Sequence, residues 1–360
     1  MSLDDLVTLG WTPALAQAFA PHAAAGLEPG RVSLEHNHVY RVMTANGERL
    51  AEAAGKIKYE ASGRHELPAV GDWVGVRLNP QGSRGVIRTI LPRRSVFSRK
   101  AAGRETTEQV VAANVDTVFI VFGLDKPVNP NAIERYLVVA RRSGAEPVIV
   151  LNKADLADDI GASVAEATAS AGDVPVHAVS TRTSEGVARL TSFLSTGRTV
   201  ALLGPSGAGK SSIVNRLVER ELLPTGEVRD WDARGRHTSV HRQLVVRQAG
   251  GLIIDTPGLR ELQLWDAGDA AFADTFADIA ALAGDCRFRD CRHDREPGCA
   301  VKAAVEAGTL DAGRYESYLK LQREQAAFER NRDERAGIEA KRQAKLGSKA
   351  YKALQKQRGR

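Results

Sequence analysis

Residues Gly204-Pro205-Ser206-Gly207-Ala208-Gly209-Lys210-Ser211 fill every fixed position of the pattern G-x-x-x-x-G-K-[ST]. Nothing else in the 360-residue chain restricts its fold as much. Such a loop works only between a buried strand and the first turn of a helix. Its glycines let successive backbone N–H groups curl around phosphate oxygens, and the helix points its positive end at them. The flanking sequence supplies both neighbours. Thr199–Leu203 is an apolar run, and Ser212-Ile213-Val214-Asn215-Arg216-Leu217 can carry a helix onward. Lys210 is then placed for the β- and γ-phosphates, and the Ser211 hydroxyl for Mg²⁺. Ser212 and the remaining loop residues complete the candidate phosphate cradle.

Two further motifs end apolar runs of the buried, parallel kind. Asp255-Thr256-Pro257-Gly258 follows Leu252-Ile253-Ile254. A carboxylate at that position can hold Mg²⁺, directly or through water, and the Gly258 N–H is placed for the γ-phosphate. Asn152-Lys153-Ala154-Asp155 follows Val148–Leu151. The Asp155 carboxylate can accept the N1–H and exocyclic amine of guanine, a pair that adenine lacks. This favours a GTP site over a P-loop ATPase or kinase. Ser180-Thr181-Arg182 is a weaker candidate for the rest of the base pocket. The runs Val115–Phe122, Pro147–Leu151 and Val174–Val179, with helical stretches Asn131–Arg142 and Ser211–Val218, predict a parallel sheet covered by helices on both faces.

The order is unusual. Conventional GTPases place the phosphate loop first and the Asn-Lys-x-Asp motif last. Here the base-reading motif precedes the loop by about fifty residues, so the domain is circularly permuted. The segment after Gly258 therefore runs straight into the C-terminal part of the chain, and nucleotide state is expected to act on that part through a short covalent connection. Leu259 stands where Ras-like enzymes carry the glutamine that orients water, so the water must be positioned from elsewhere. The stretch Gly235-Arg236-His237-Thr238-Ser239 is the candidate source. Thr238 fits a switch threonine that closes on Mg²⁺, and His237 could orient or deprotonate water or be a plain exposed loop histidine.

Around this domain the texture changes. Residues 1–30 read as an Ala-rich helical extension broken by Pro21. Over 31–92 short runs alternate between glycine-containing turns: Val39–Val42, Lys56–Tyr59, Asp72–Val76 and Gly85–Ile90. Strands at this spacing predict a five-stranded barrel of the oligonucleotide-binding (OB) kind. Its basic residues suit a nucleic-acid face or are ordinary outward side chains. Residues 93–114 read as a polar, Arg-rich linker, 115–271 as the permuted domain, 272–311 as a Cys/His region, and 312–360 as a helix and basic tail. All three cysteines lie in the pattern Cys286-x4-Cys291-x-His293-x5-Cys299. Four such ligands suit one tetrahedral, structural Zn²⁺ with no position left for water; free thiols or a redox pair are the alternatives. The last twenty residues hold eight basic and no acidic side chains, although the whole chain has a net charge of only +6. The tail therefore carries the basic character and suits an anionic partner, nucleic acid above all, or is simply a solvated terminus. Three cysteines exclude a disulfide framework, no apolar run approaches the ~18 residues of a membrane span, and the acidic start is no signal peptide. A cytoplasmic protein without a membrane partner is expected.

Taken together, the barrel, the three motifs in permuted order and the Cys/His cluster resemble the small-ribosomal-subunit biogenesis GTPase A family over nearly the whole chain. The resemblance implies a GTP-hydrolysing enzyme that binds the small (30S) ribosomal subunit and its 16S rRNA late in maturation and leaves in the GDP form. It implies one structural zinc on Cys286, Cys291, His293 and Cys299, places Thr238 as the switch threonine, and makes His237 the proposed catalytic group. A monomer is the default expectation. The competing class is an RNA-binding module whose nucleotide site is only a regulatory switch.

Overall fold

The computed structural model describes residues 3–78, 84–100, 108–218, 243–255, 269–327 and 330. Two helices, α1 (Leu3–Thr8) and α2 (Pro13–Ala24), precede the strands β1 (Glu28–His36), β2 (Val39–Thr44), β3 (Gly47–Ala53), β4 (Trp73–Arg77) and β5 (Arg84–Ile90). β1 pairs with β2, β2 with β3, β3 with β5 in parallel, β5 with β4, and β4 returns to β1. The ring is closed, so these five strands present no free edge to another chain. Alternate side chains fill its interior, among them Val32, Tyr40, Val42, Val74, Val76 and Ile87.

Three sequence expectations are corrected here. Lys56–Tyr59 is not a strand. It lies in helix α3 (Gly55–Glu60), which is mostly solvent-facing, with Ile57 alone tucked against the barrel core and Lys56 3.7 Å from Glu60 one turn on. The Lys-Ile-Lys-Tyr alternation mimics a strand because a single inward residue satisfies either period. Pro21 does not break α2. The helix is held by the Thr12 hydroxyl at its N-terminus, 3.3 Å from the Leu15 N–H, and by buried Leu15 and Phe19. That anchorage outweighs one lost backbone hydrogen bond. The Arg-rich stretch is no polar linker. It holds an antiparallel ribbon of β6 (Val96–Lys100) and β7 (Glu108–Ala113), with Phe97 and Val110–Ala113 buried. Beside it, Arg31 is fully buried and donates to the carbonyls of Leu9, Gly71 and Asn114. One cation thus ties the N-terminal helices, the barrel and the start of the next domain. Burial lowers its pKa to about 10.

The next domain alternates strand and helix: β8 (Thr117–Gly123), α4 (Pro130–Ser143), β9 (Glu146–Asn152), α5 (Ile160–Ala171), β10 (Val176–Ala178), α6 (Val187–Thr191), β11 (Thr199–Leu203), α7 (Lys210–Val218), β12 (Gln243–Val246) and β13 (Leu252–Asp255). The strand order is β10-β9-β8-β11-β13-β12, parallel except for β12. Along β8, Val118, Ile120 and Phe122 join one core with Ile133 and Leu137 of α4, whereas Phe119 and Val121 join another with Ile213 and Leu217 of α7. Burial on both faces explains the unbroken apolar runs. The C-terminal ends of β8, β9, β11 and β13 consequently share one edge of the sheet, where ligands of open α/β sheets bind.

The chain divides into two compact units: Ala270–Thr275, nearly all of the short helix α8 (Asp269–Thr275), belongs to the first, and the second takes Asp269 and continues from Phe276. The second contains α9 (Ala277–Ala283), α10 (Ala300–Glu306) and a helix over residues 312–327. Phe276 is fully buried, edge-on to Tyr318 at 5.3 Å, with the Arg314 guanidinium 5.1 Å over its ring. Arg314 also grips Asp278 with two bonds of 2.6 and 2.7 Å.

Candidate nucleotide site and metal centre

The phosphate loop leaves β11 at Gly204 and enters α7 at Lys210. Its backbone passes too close to its neighbours for side chains at two points. A Cβ on Gly204 (φ +133°) would lie 2.1 Å from the Val121 carbonyl oxygen, and one on Gly209 (φ +91°) 2.1 Å from the Asn152 amide nitrogen. Lys210 extends its ammonium across the loop, donating to the carbonyls of Gly204 at 2.7 Å and Pro205 at 2.6 Å. A cation held there faces the ground that phosphate oxygens would occupy. Ser211 stands on the first turn of α7, and Asp255 ends β13, the strand paired directly with β11.

The base-reading motif closes on the same loop. Asn152, 1% exposed, donates its amide to the Ala208 carbonyl at 3.0 Å and accepts the Thr181 N–H at 3.3 Å. It therefore ties the phosphate loop to the loop after β10. Asp155 receives the Ser180 hydroxyl at 2.6 Å, with Arg182 3.6 Å away. That hydroxyl, with help from Arg182, holds the carboxyl below its ordinary range and ionised as an acceptor. Lys153 has a left-handed backbone (φ 62°) and reaches Asp125, just beyond β8, at 3.0 Å. Asp125 escaped the sequence reading, although a carboxylate two residues past a buried parallel strand was a signal. The structure thus gathers Asn152, Lys153, Asp155, the phosphate loop, Ser211 and Asp255 at one edge, and gives Ser180 and Thr181 defined contacts. His237, Thr238 and Gly258 lie outside the described residues.

In the second unit, the ligand atoms of Cys286, Cys291, His293 and Cys299 all lie within 4.8 Å of one another. Cys286 and Cys299 have their sulfurs 3.9 Å apart, and His293 Nδ1 is 3.5 and 3.4 Å from them. Tetrahedral Zn²⁺ with ordinary Zn–S and Zn–N bonds requires edges of about 3.8 and 3.6 Å, so the donor set fits. Burial holds the His293 imidazole below its usual pKa, in the neutral form a metal needs. Cys299 also caps α10, accepting the Lys302 N–H at 3.5 Å, and the Tyr315 hydroxyl donates to the His293 carbonyl. Among the described residues, no helix is long and apolar enough to cross a membrane.

Known proteins resemble the chain over most of its length. A family model described as RsgA GTPase matches residues 90–265. A small ribosomal subunit biogenesis GTPase RsgA from Opitutus terrae is 49% identical over 336 residues, covering 91% of this chain and 92% of its own. One from Streptomyces coelicolor is 40% identical over 358 residues, covering 98% and 96%. Among solved structures, YjeQ from Thermotoga maritima aligns with a TM-score of 0.63 at 30% identity, over 83% of this chain and 99% of that one. YloQ, a circularly permuted GTPase, aligns at 0.60 and 24% identity over 84% and 96%, a likeness of fold.

Proposed function

The chain belongs to the RsgA GTPase family and is a GTP hydrolase, and on that premise we propose that it acts on the small ribosomal subunit, binding its 16S rRNA and hydrolysing GTP during late maturation. The relatives' names give small ribosomal subunit biogenesis and GTPase, which supports this reading. The observation that carries the site assignment is the Asn152 bridge, which fastens the guanine-reading loop to the phosphate loop despite their reversed chain order. Asp155, kept ionised by Ser180, selects guanine, and Asn152, Lys153 and the loop from Gly204 to Ser212 hold the nucleotide. Lys210 exchanges its two loop carbonyls for the β- and γ-phosphates, stronger acceptors that the developing charge strengthens further. Ser211 and Asp255, with Thr238, would hold Mg²⁺, which would neutralise the charge that develops on the phosphates. His237 orients the attacking water in place of the glutamine that Leu259 replaces. Cys286, Cys291, His293 and Cys299 would hold one zinc ion, which would tie the second unit together. The barrel, the four arginines at 287, 289, 292 and 295 and the basic tail face rRNA. The protein works as a cytoplasmic monomer.

The decisive experiment measures GTP hydrolysis with and without purified small ribosomal subunits, with ATP as control. Strong stimulation, specific for GTP and for small subunits, is expected. Background-level hydrolysis even with subunits would favour a purely regulatory nucleotide switch. Turnover indifferent to subunits would remove the ribosomal role and leave the enzyme.

A further inference from the structure

The barrel carries a cavity of about 350 Å³ that the nucleotide and metal sites do not use. That is near the lower end for small-ligand sites, roughly 300–1,000 Å³. Tyr40, Ala53 and Leu67 line it together with His38, Lys58 and Arg64, which are exposed. The informative member is Tyr40. The residue is only 2% exposed; among the described residues no group hydrogen-bonds its hydroxyl, and that oxygen is not among the fully buried unpaired ones, so it stays within reach of whatever enters the cavity. Burial, with the nearby Glu35 charge, pushes the phenol up to about 12, so it stays a neutral donor and acceptor.

The walls are built in advance. His38 follows Asn37 in a tight β1–β2 turn, both residues with positive φ (63° and 50°). The opposite wall, residues 61–67, is closed by the Glu66 carboxylate accepting the Ser62 N–H at 2.6 Å. It is pinned from behind by Arg93, which donates to the carbonyls of His65 at 2.7 Å and Leu67 at 2.8 Å. The same guanidinium grips fully buried Asp72 with two bonds of 2.8 Å. Lys58 and Arg64, at the mouth, have no ion-pair partner among the described residues. Just outside, Tyr59 is 92% exposed on α3.

We propose that this cavity receives one unstacked base of a single-stranded RNA segment, with the adjoining phosphates on Lys58 and Arg64. The apolar floor takes the base face, and the Tyr40 hydroxyl meets a polar atom on its edge. Tyr59 offers a stacking surface for the neighbouring base, which a free nucleotide would leave unused. The proposal rests on the reading that the barrel faces RNA.

The test uses the full chain loaded with GDP and zinc. Its probes are a short single-stranded RNA carrying one fluorescent purine analogue, the same strand annealed to its complement, and AMP as a competitor. Tyr40→Phe removes only the unpartnered hydroxyl, so the thermal midpoint should hold. Affinity for the single strand should fall about fivefold, the worth of one hydrogen bond, with duplex affinity unchanged. Lys58→Ala and Arg64→Ala should each lower the slope of log affinity against log salt by about 0.7. Unchanged single-strand affinity in Tyr40→Phe overturns the proposal. So does AMP competing at the concentrations at which the strand binds, which would assign the cavity to a free nucleotide. Subunit-stimulated GTP hydrolysis by the parent protein tests the larger reading separately. If stimulation stands and Tyr40→Phe has no effect on RNA, only the cavity assignment falls.

Discussion

Asn152→Ala should weaken nucleotide binding without loosening the choice of base. The side chain makes bonds of 3.0 and 3.3 Å and is essentially inaccessible to water. Its removal strands the carbonyl of Ala208, a residue 3% exposed, at a cost of about 2 kcal/mol. The N–H of half-buried Thr181 can recover water, so its loss adds only about 0.5–1 kcal/mol. At 1.4 kcal/mol per factor of ten, the roughly 2.5–3 kcal/mol sets a ceiling near a hundredfold on the loss of GDP affinity. Part of that cost falls on fold stability instead, which places the expected loss between about tenfold and a hundredfold. Equilibrium titration with fluorescent GDP and ADP, alongside thermal unfolding, reads both shares. Discrimination against ADP should survive, because the Ser180–Asp155 bond at 2.6 Å does not involve Asn152. Asn152→Asp should be worse than Asn152→Ala, since it sets a buried carboxylate against the Ala208 carbonyl. Parental GDP affinity and stability in Asn152→Ala would refute the bridge. A collapse of base selectivity with phosphate affinity intact would instead make Asn152 a direct reader of the base.

Other perturbations separate the remaining roles. Asp155→Asn should cost at least about a hundredfold in GTP affinity and shift preference toward xanthine nucleotides, whose ring presents an acceptor at the base edge; competition titration decides it. His237→Ala should lower kcat by about 10²–10⁴ while GTP affinity changes little, and single-turnover hydrolysis showing parental rates would remove the assignment. Chelating zinc, or Cys291→Ser, should melt the second unit, seen as a lost unfolding transition, with fluorescent-GDP binding by the first unit retained. Hydrogen exchange over residues 260–310 should differ between GTP-analogue and GDP states; equal protection would refute the covalent-lever expectation.

The candidate nucleotide site was legible because it sits in contiguous motifs whose residue types suit phosphate, Mg²⁺ and guanine. Gly204–Ser211, Asp255 and Asn152–Asp155 each end an apolar run, and parallel strands buried on both faces leave that run unmistakable. The four candidate zinc ligands were equally visible, being confined to fourteen residues. What the chain alone left undecided involves partners distant in sequence. Asn152 reads only as a member of the base-reading motif until folding sets its amide against Ala208, 56 positions away. Asp125 gains meaning only beside Lys153, and Arg31 only where Leu9, Gly71 and Asn114 converge. Local periodicity also failed where one inward residue serves two conformations, as in Lys56–Tyr59, and where tertiary anchorage carries a proline through α2. Short-range patterns record which faces must be buried and which loops must bend. The pairing of buried polar groups is settled by three-dimensional proximity, because each must find its partner wherever the packed chain brings one within hydrogen-bonding reach.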